Sequence, residues 1–185
     1  MSIDSLIASR LQQLRHERGL SLADLAALSE VSKAMISKVE RGESSPTASV
    51  LGRLAAGLGV PLSQLIRDDA PPEQRLRAQA QQETWRDPAT GYVRRQVSLP
   101  TARDGVELVE ISLPADAQIS YPPWSAAPYR QYLWLVEGAL RVDYGDEGFE
   151  LAVGDCLSFG VDRNVTFSAR GSAGCRYLLV MNPEG

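Results

Sequence analysis

The sequence predicts an all-α head of five short helices over residues 1–67, a linker over 68–84, and an all-β sandwich or barrel over 85–185. Three observations carry this. Up to Ile66, apolar residues recur at helical spacing in runs that open on Ser, Thr or Pro and close near Gly. Residues 68–83 break the pattern with Asp-Asp, Pro-Pro and a polar run of Gln, Arg and Ala holding one large apolar residue, Leu76. From Trp85 onward the runs are short, rich in β-formers and divided by Gly, Pro and Asp.

In the first helix Leu6, Ile7, Leu11 and Leu14 share a face, and Gly19 follows a basic end at Arg15, His16 and Arg18. His16 is the sole histidine and reads as a solvated surface residue, since it has no companion ligand. Ser21 caps a second helix, with Asp24 at capping-box spacing and Leu22, Leu25, Ala26 and Leu28 as its apolar face, ending near Ser29. Val31 sits in the turn, and Ser32 caps a third helix that points Met35, Ile36 and Val39 inward. The opposite face carries Lys33, Ala34, Ser37, Lys38 and Arg41, and Lys33 and Lys38 are the only lysines in the chain. Thr47, after Pro46, caps a fourth helix with Val50, Leu51, Leu54, Ala55 and Leu58, stopped by Gly59. The fifth helix runs over residues 61–66 with proline at its start. The predicted head core is Leu11, Leu14, Leu25, Leu28, Val31, Ile36, Val39, Leu51, Leu54, Leu58, Leu62 and Leu65.

The polar stretch after Ile66 cannot bury enough surface to fold alone, so few contacts should cross it. Each half is then expected to fold by itself, the β half dimeric and the head monomeric. Strands are predicted over residues 92–99, 106–113, 131–136, 139–144, 156–159, 165–167 and 176–181.

Charge separates the halves. Residues 1–67 hold 8 Lys+Arg against 6 Asp+Glu, and the remainder holds 11 against 17, within a net −4. A mildly basic head on an acidic body suits a head that meets a polyanion while the body faces away. The first ten residues lack the basic start and apolar core of a targeting signal, and no apolar stretch nears the ~20 residues of a membrane helix. A cytoplasmic protein is expected. Cys156 and Cys175 have no close-spaced partner and read as buried thiols.

The two short helices and their turn, with the run Ile36-Ser37-x-x-Glu40-x-Gly42 and Pro46 opening the next segment, resemble the lambda repressor and Cro-like, or XRE, helix-turn-helix family. That resemblance covers residues 3 to about 66 and implies binding to a double-stranded DNA operator, commonly as a two-fold dimer. Ser21, Ser32, Lys33, Ala34, Ser37, Lys38, Arg41 and Thr47 are the expected DNA-binding residues. Residues 121–142 and 151–167 look like the two motif regions of the cupin family, a small double-sheet jelly roll. The likeness rests on the Val136-Glu137-Gly138 turn into Leu140 and on the Gly154-Asp155 turn.

Metal-dependent cupins use histidines and a carboxylate at positions that fall here at about Trp124, Ala126, Gln131 and Val165. None is a good ligand, so no metal, no cofactor and no catalytic residue is expected. What remains is a barrel mouth lined by Tyr121, Trp124, Tyr129, Gln131 and Tyr177, with Arg130 and Asn164 nearby, as candidate ligand-binding residues. Of the two adjacent residues Arg130 and Gln131, strand alternation lets only one face the interior. The expected protein is therefore a transcriptional regulator, not an enzyme, whose metal-free cupin senses a small-molecule effector, forms a homodimer, or both. Two other readings stand beside it: a cupin-type isomerase or other enzyme with a DNA-binding head, and an antitoxin-like protein with a protein partner.

Overall fold

The computed structural model describes residues 3–66, 75–98, 105–124 and 129–183. The head is built of α1 (Ile3–Glu17), α2 (Leu22–Ser29), α3 (Lys33–Glu40), α4 (Ala48–Leu58) and α5 (Ser63–Ile66). The caps are the expected ones. Asp24 N–H donates to Ser21 Oγ at 3.1 Å while Ser21 N–H donates to Asp24 Oδ2 at 2.8 Å, a reciprocal capping box. Ser32 Oγ accepts from Met35 N–H and Thr47 Oγ1 from Val50 N–H. The fifth helix starts two residues later than expected, because Pro61 and Leu62 form the turn that leads into it.

Ile7, Leu11, Leu25, Ile36, Leu51, Leu54 and Leu65 are fully buried in the head. Leu28 departs from the expected core and is 58% exposed. The cause lies in α4: a Cβ on Gly57 would stand 2.8–3.0 Å from Ser29, so the two helices approach too closely for a leucine there. α2 therefore turns the smaller Ser29 inward, its Oγ donating to Leu25 O at 2.6 Å. Leu14 and Leu62 lie half-buried at the rim, and Ile7, Ala48, Ala55, Val60 and Ile66 complete the core.

One buried ion pair ties the turn motif to the rest of the head. Arg15 on α1 donates from Nε and Nη2 to both carboxylate oxygens of Glu40 at 2.7 and 2.9 Å, and from Nη1 to Leu20 O. Both side chains are under 10% exposed. The glutamate of the Ile36-to-Gly42 run is thus a structural clamp that sets the tilt of α3 against α1.

The second half forms two antiparallel sheets. In the larger, β1 (Thr84–Arg86), β2 (Val93–Gln96), β3 (Glu107–Leu113), β10 (Cys175–Pro183), β5 (Tyr129–Glu137) and β8 (Cys156–Phe159) lie side by side in that order. The smaller runs β4 (Gln118–Tyr121), β9 (Val165–Arg170), β6 (Ala139–Tyr144), β7 (Glu147–Leu151). Alternation buries one face of each sheet, including Val109, Ile111, Leu133, Leu135, Leu140, Val142, Phe167 and Leu179. The β5–β6 turn needs glycine: Gly138 has φ +79°, and a Cβ there would stand 2.2 Å from the carbonyl oxygen of Gly174. At the Gly154-Asp155 turn, Asp155 Oδ2 accepts from Ala152 N–H at 2.8 Å.

Cys175 is buried, and burial pushes its thiol up to about 11. Cys156 is exposed, contrary to expectation, because β8 turns Leu157 and Phe159 toward the interior and leaves Cys156 on the outer face.

The halves touch through specific hydrogen bonds. Ala48 N–H, the first amide of α4, donates to Asp87 Oδ2 at 2.7 Å, and Ser63 Oγ donates to Glu107 Oε1 at 2.7 Å. Both acceptors belong to the β half and both are buried. The end of the expected linker is also fixed: Arg77 donates to Gln96 O and Ser98 O and pairs with Glu83, and residues 79–81 make a 3-10 turn. Linker residues 68–74 lie outside the described residues.

Candidate functional site

Two surfaces carry the residues singled out by sequence. On α3 and its C-cap, Lys33, Ala34, Lys38 and Arg41 are exposed and Ser37 is half-buried, all on one face. Arg41 is held by Glu43, Nε to Oε1 at 2.6 Å and Nη2 to Oε2 at 2.8 Å, and also donates to Ser37 Oγ. That pairing raises the affinity of the Arg41 guanidinium for its proton and lowers that of the Glu43 carboxylate. Ser21 and Ser32 cap α2 and α3 at exposed positions. Thr47 is different. It caps α4, but the first amide of that helix is given to Asp87, which sets a carboxylate beside the helix N-terminus.

The other surface is internal. Tyr121, Trp124, Tyr129, Gln131 and Tyr177 converge on one cavity of about 80 Å³ at the mouth of the β half. Strand alternation places them: β5 buries Gln131 and exposes Arg130, and Asn164 also faces outward. Gln131 Nε2 reaches Gly160 O at 3.4 Å, and Tyr121 Oη donates to Tyr92 Oη at 3.3 Å. Trp124 lies against Tyr129 with ring centroids 4.8 Å apart. Burial pushes the Tyr129 hydroxyl up to about 12 and those of Tyr121 and Tyr177 well above the usual phenol range, so all three are neutral near pH 7.

Sequence reasoning missed two parts of this cavity. Its roof is the head itself: Gly52, Ala55 and Ala56 of α4, with Val60 and Leu62 after it. A Cβ on Gly52 would come within 2.4 Å of the Tyr121 ring, so the helix and the barrel meet there in direct contact. The second part is Arg94 of β2, which also lines the cavity and is only 4% exposed. Its direction could have been read from Tyr92 and Gln96, which share its phase on the strand and are buried with it.

Trp124, Gln131 and Val165, three of the four mapped metal positions, do face this cavity, while Ala126 lies outside the described residues. An indole, an amide and an isopropyl group do not fit a transition metal, which takes imidazole, carboxylate or thiolate ligands. Among the described residues no group of three or more His, Cys, Asp or Glu could hold a metal ion. Nor is any described helix long and apolar enough to cross a membrane.

Residues 11–65 match the HTH_3 helix-turn-helix family model. The chain is 48% identical over 67 residues to the HTH-type transcriptional regulator SutR of Escherichia coli K12, a match covering 36% of each protein. It thus spans only about a third of the length of that relative. The crystal structure of an HTH_3 family transcriptional regulator from Vibrio cholerae is similar over 98% of both chains, with a TM-score of 0.80 and 30% identity. Hydroxypropylphosphonic acid epoxidase from S. wedmorenis shares the fold over 98% of both chains at a TM-score of 0.50 and 19% identity. The full-length likeness to the Vibrio regulator spans head, roof and barrel together, and with the family match it leads to one conclusion: this chain belongs to the HTH_3 family of helix-turn-helix transcriptional regulators, of the XRE type, with a double-sheet β domain behind its helix-turn-helix head.

Proposed function

We propose that this cytoplasmic regulator binds its operator as a homodimer and that its cupin-like domain is a non-enzymatic, metal-free sensor of a small molecule. The observation that carries the sensor reading is the shared cavity: its floor is barrel and its roof is α4, so anything bound inside touches the DNA-binding head directly. Trp124 extends the contact. The indole also borders a groove formed by Leu28, Ser29, Arg53 and Pro122, where the barrel meets α2. A ligand that shifts Trp124 or the roof biases the orientation of the helix-turn-helix by the difference in its affinity for the two arrangements.

Dimerisation is supported by the outer face of the larger sheet. Tyr132 and Trp134 on β5 are 42% and 49% exposed, unusual for such residues. Leu178 and Val180 of β10 pair with them, and Leu108 of β3 pairs with Val180, making an apolar strip on the side away from the cavity. Such a strip suits burial between two copies, and an operator read by two α3 faces would have half-sites about one helical turn apart, roughly 34–36 Å. On this reading Lys33, Ala34, Ser37, Lys38 and Arg41 face the major groove, Arg41 exchanging Glu43 for the nucleic acid.

The test is a double variant, Tyr132→Lys with Trp134→Glu. Sedimentation should show a monomer with an unchanged far-ultraviolet spectrum, and titration with operator DNA selected from the surrounding genome should show affinity reduced by about 100-fold or more, as loss of one half-site of a pair requires. A variant that stays dimeric places the interface elsewhere.

A further inference from the structure

We propose that the cavity binds a small carboxylate through Arg94. This rests on the reading of the barrel as a small-molecule sensor and names the ligand class at that same site. Arg94 is a buried cation, and its Nε and Nη2 have no hydrogen-bond partner among the described residues. Buried guanidinium donors are nearly always satisfied, because an unmade bond to a charged group forfeits its full desolvation cost.

Other arginines of the same protein show what this edge of the guanidinium takes. Arg15, Arg41 and Arg176 each direct Nε and Nη2 to a carboxylate: Glu40, Glu43 and Glu137 respectively. In each pair the two donors meet the two oxygens in parallel, the fork geometry that suits a planar carboxylate. Arg94 offers the same edge with no protein carboxylate on it.

The rest of the site favours a monoanion of limited size. Among the described residues lining the cavity there is no Asp or Glu, and its phenols are neutral, so the carboxylate that acts on Arg94 is Glu107 in the adjoining chamber, which makes no hydrogen bond to its Nε or Nη2. Trp124 supplies a third donor, since its buried Nε1 is likewise unpartnered. The fork of Arg94, which matches the two oxygens of a planar carboxylate, decides for that class over the tetrahedral oxygens of a phosphate. At about 80 Å³ the cavity is roughly half the ~150 Å³ that accommodates a benzene ring, which limits the ligand to a short-chain acid. An adjoining chamber behind Trp124 and Tyr129 contains Glu107, whose Oε2 is unpartnered, and it disfavours a second acidic group there.

The experiment uses the full chain and acetate, propionate, butyrate, propionamide, butyramide and inorganic phosphate as probes. Calorimetric titration and thermal melting should show binding and stabilisation by propionate or butyrate and none by the amides. Arg94→Gln should weaken carboxylate binding by about 10- to 100-fold, and Arg94→Lys, which keeps the charge but loses the fork, should fall between. Arg94→Met guards against a purely structural role. If the guanidinium serves a ligand, Met at this position raises the melting temperature of the ligand-free protein, whereas a lower melting temperature together with no carboxylate binding by the wild type overturns the proposal. Phosphate binding more tightly than every carboxylate also overturns it. Operator titration of the same samples separates this site from the sensor reading: carboxylates that bind through Arg94 without changing DNA affinity sustain the site and refute sensing, while carboxylate effects on DNA affinity that survive Arg94→Gln sustain sensing and refute the site.

Discussion

Lys33 stands at the first position of α3, fully outside the core, with Ala34 beside it and Lys38 one turn and a half further on. A lysine at a base edge contributes about 1–3 kcal/mol of discrimination, whereas one at a phosphate weakens binding to every sequence alike. Lys33→Ala is therefore expected to narrow the gap between operator and random DNA at fixed salt, and a parallel loss on both would assign it to the backbone. Asp24 gives a pH-dependent counterpart in the same motif. Hydrogen bonds from the Ser21 hydroxyl and amide hold its carboxyl below the usual range. Because the folded value is the depressed one, its contribution is present above the unfolded value of about 3.9 and is lost as pH falls through the folded value. The melting-temperature difference between wild type and Asp24→Asn should shrink steadily below about pH 4. Such residues were legible in sequence because caps and exposed faces are decided within one or two turns of chain. Arg94 is harder to read, because it is followed by Arg95 and only the strand's phase, carried by Tyr92 and Gln96, decides which of the two is buried: Arg95 turns to the outer face and pairs with Glu110.

At the scale of elements, α4 does two tasks, closing the core of the head with Leu51, Leu54 and Leu58 and roofing the barrel with Gly52, Ala55 and Ala56. Helical period revealed the first face and not the second, since glycine and alanine carry little hydrophobic signal and the close neighbour lies some 70 residues away in sequence. The same blindness misplaced Leu28: periodicity gives the arc of an apolar face, but how closely the facing helix approaches is set by Gly57. Gly52→Ala is a direct probe of the roof. In an isolated helix it would gain up to about 1 kcal/mol, yet here the added methyl meets the Tyr121 ring near its root, where it cannot swing aside. A net loss of about 1–3 kcal/mol in denaturant unfolding is expected, as overpacking requires. A net gain would mean that the roof and barrel are not in contact in solution.

For the whole molecule, the decisive feature is that the polar connection between the halves does not separate them. Composition correctly placed the change from helical to β pattern, but composition says nothing about docking, and the contacts across the boundary are made by residues remote from it. Asp87 shows the strength of the join: one carboxylate oxygen accepts Ala48 N–H of the head while the other accepts Ala89 and Thr90 N–H in its own loop. Removing the carboxylate leaves the first amide of α4 without that acceptor and the β1–β2 loop without its own, so Asp87→Ala should cost about 2 kcal/mol. Ser63 and Glu107 make a second tie, and the roof a third. Three such contacts predict that the head and barrel unfold as one cooperative unit, in contrast to the two independent fragments expected from composition. Scanning calorimetry of the full chain should then give one transition whose calorimetric and van't Hoff enthalpies agree, and Asp87→Ala should lower that single transition. The barrel fragment, residues 75–185, should melt below the full chain because its cavity residues lose their cover. Two transitions in the wild-type protein, with only the first moved by Asp87→Ala, would return the halves to independence and remove the direct route by which a ligand in the barrel reaches the helix-turn-helix.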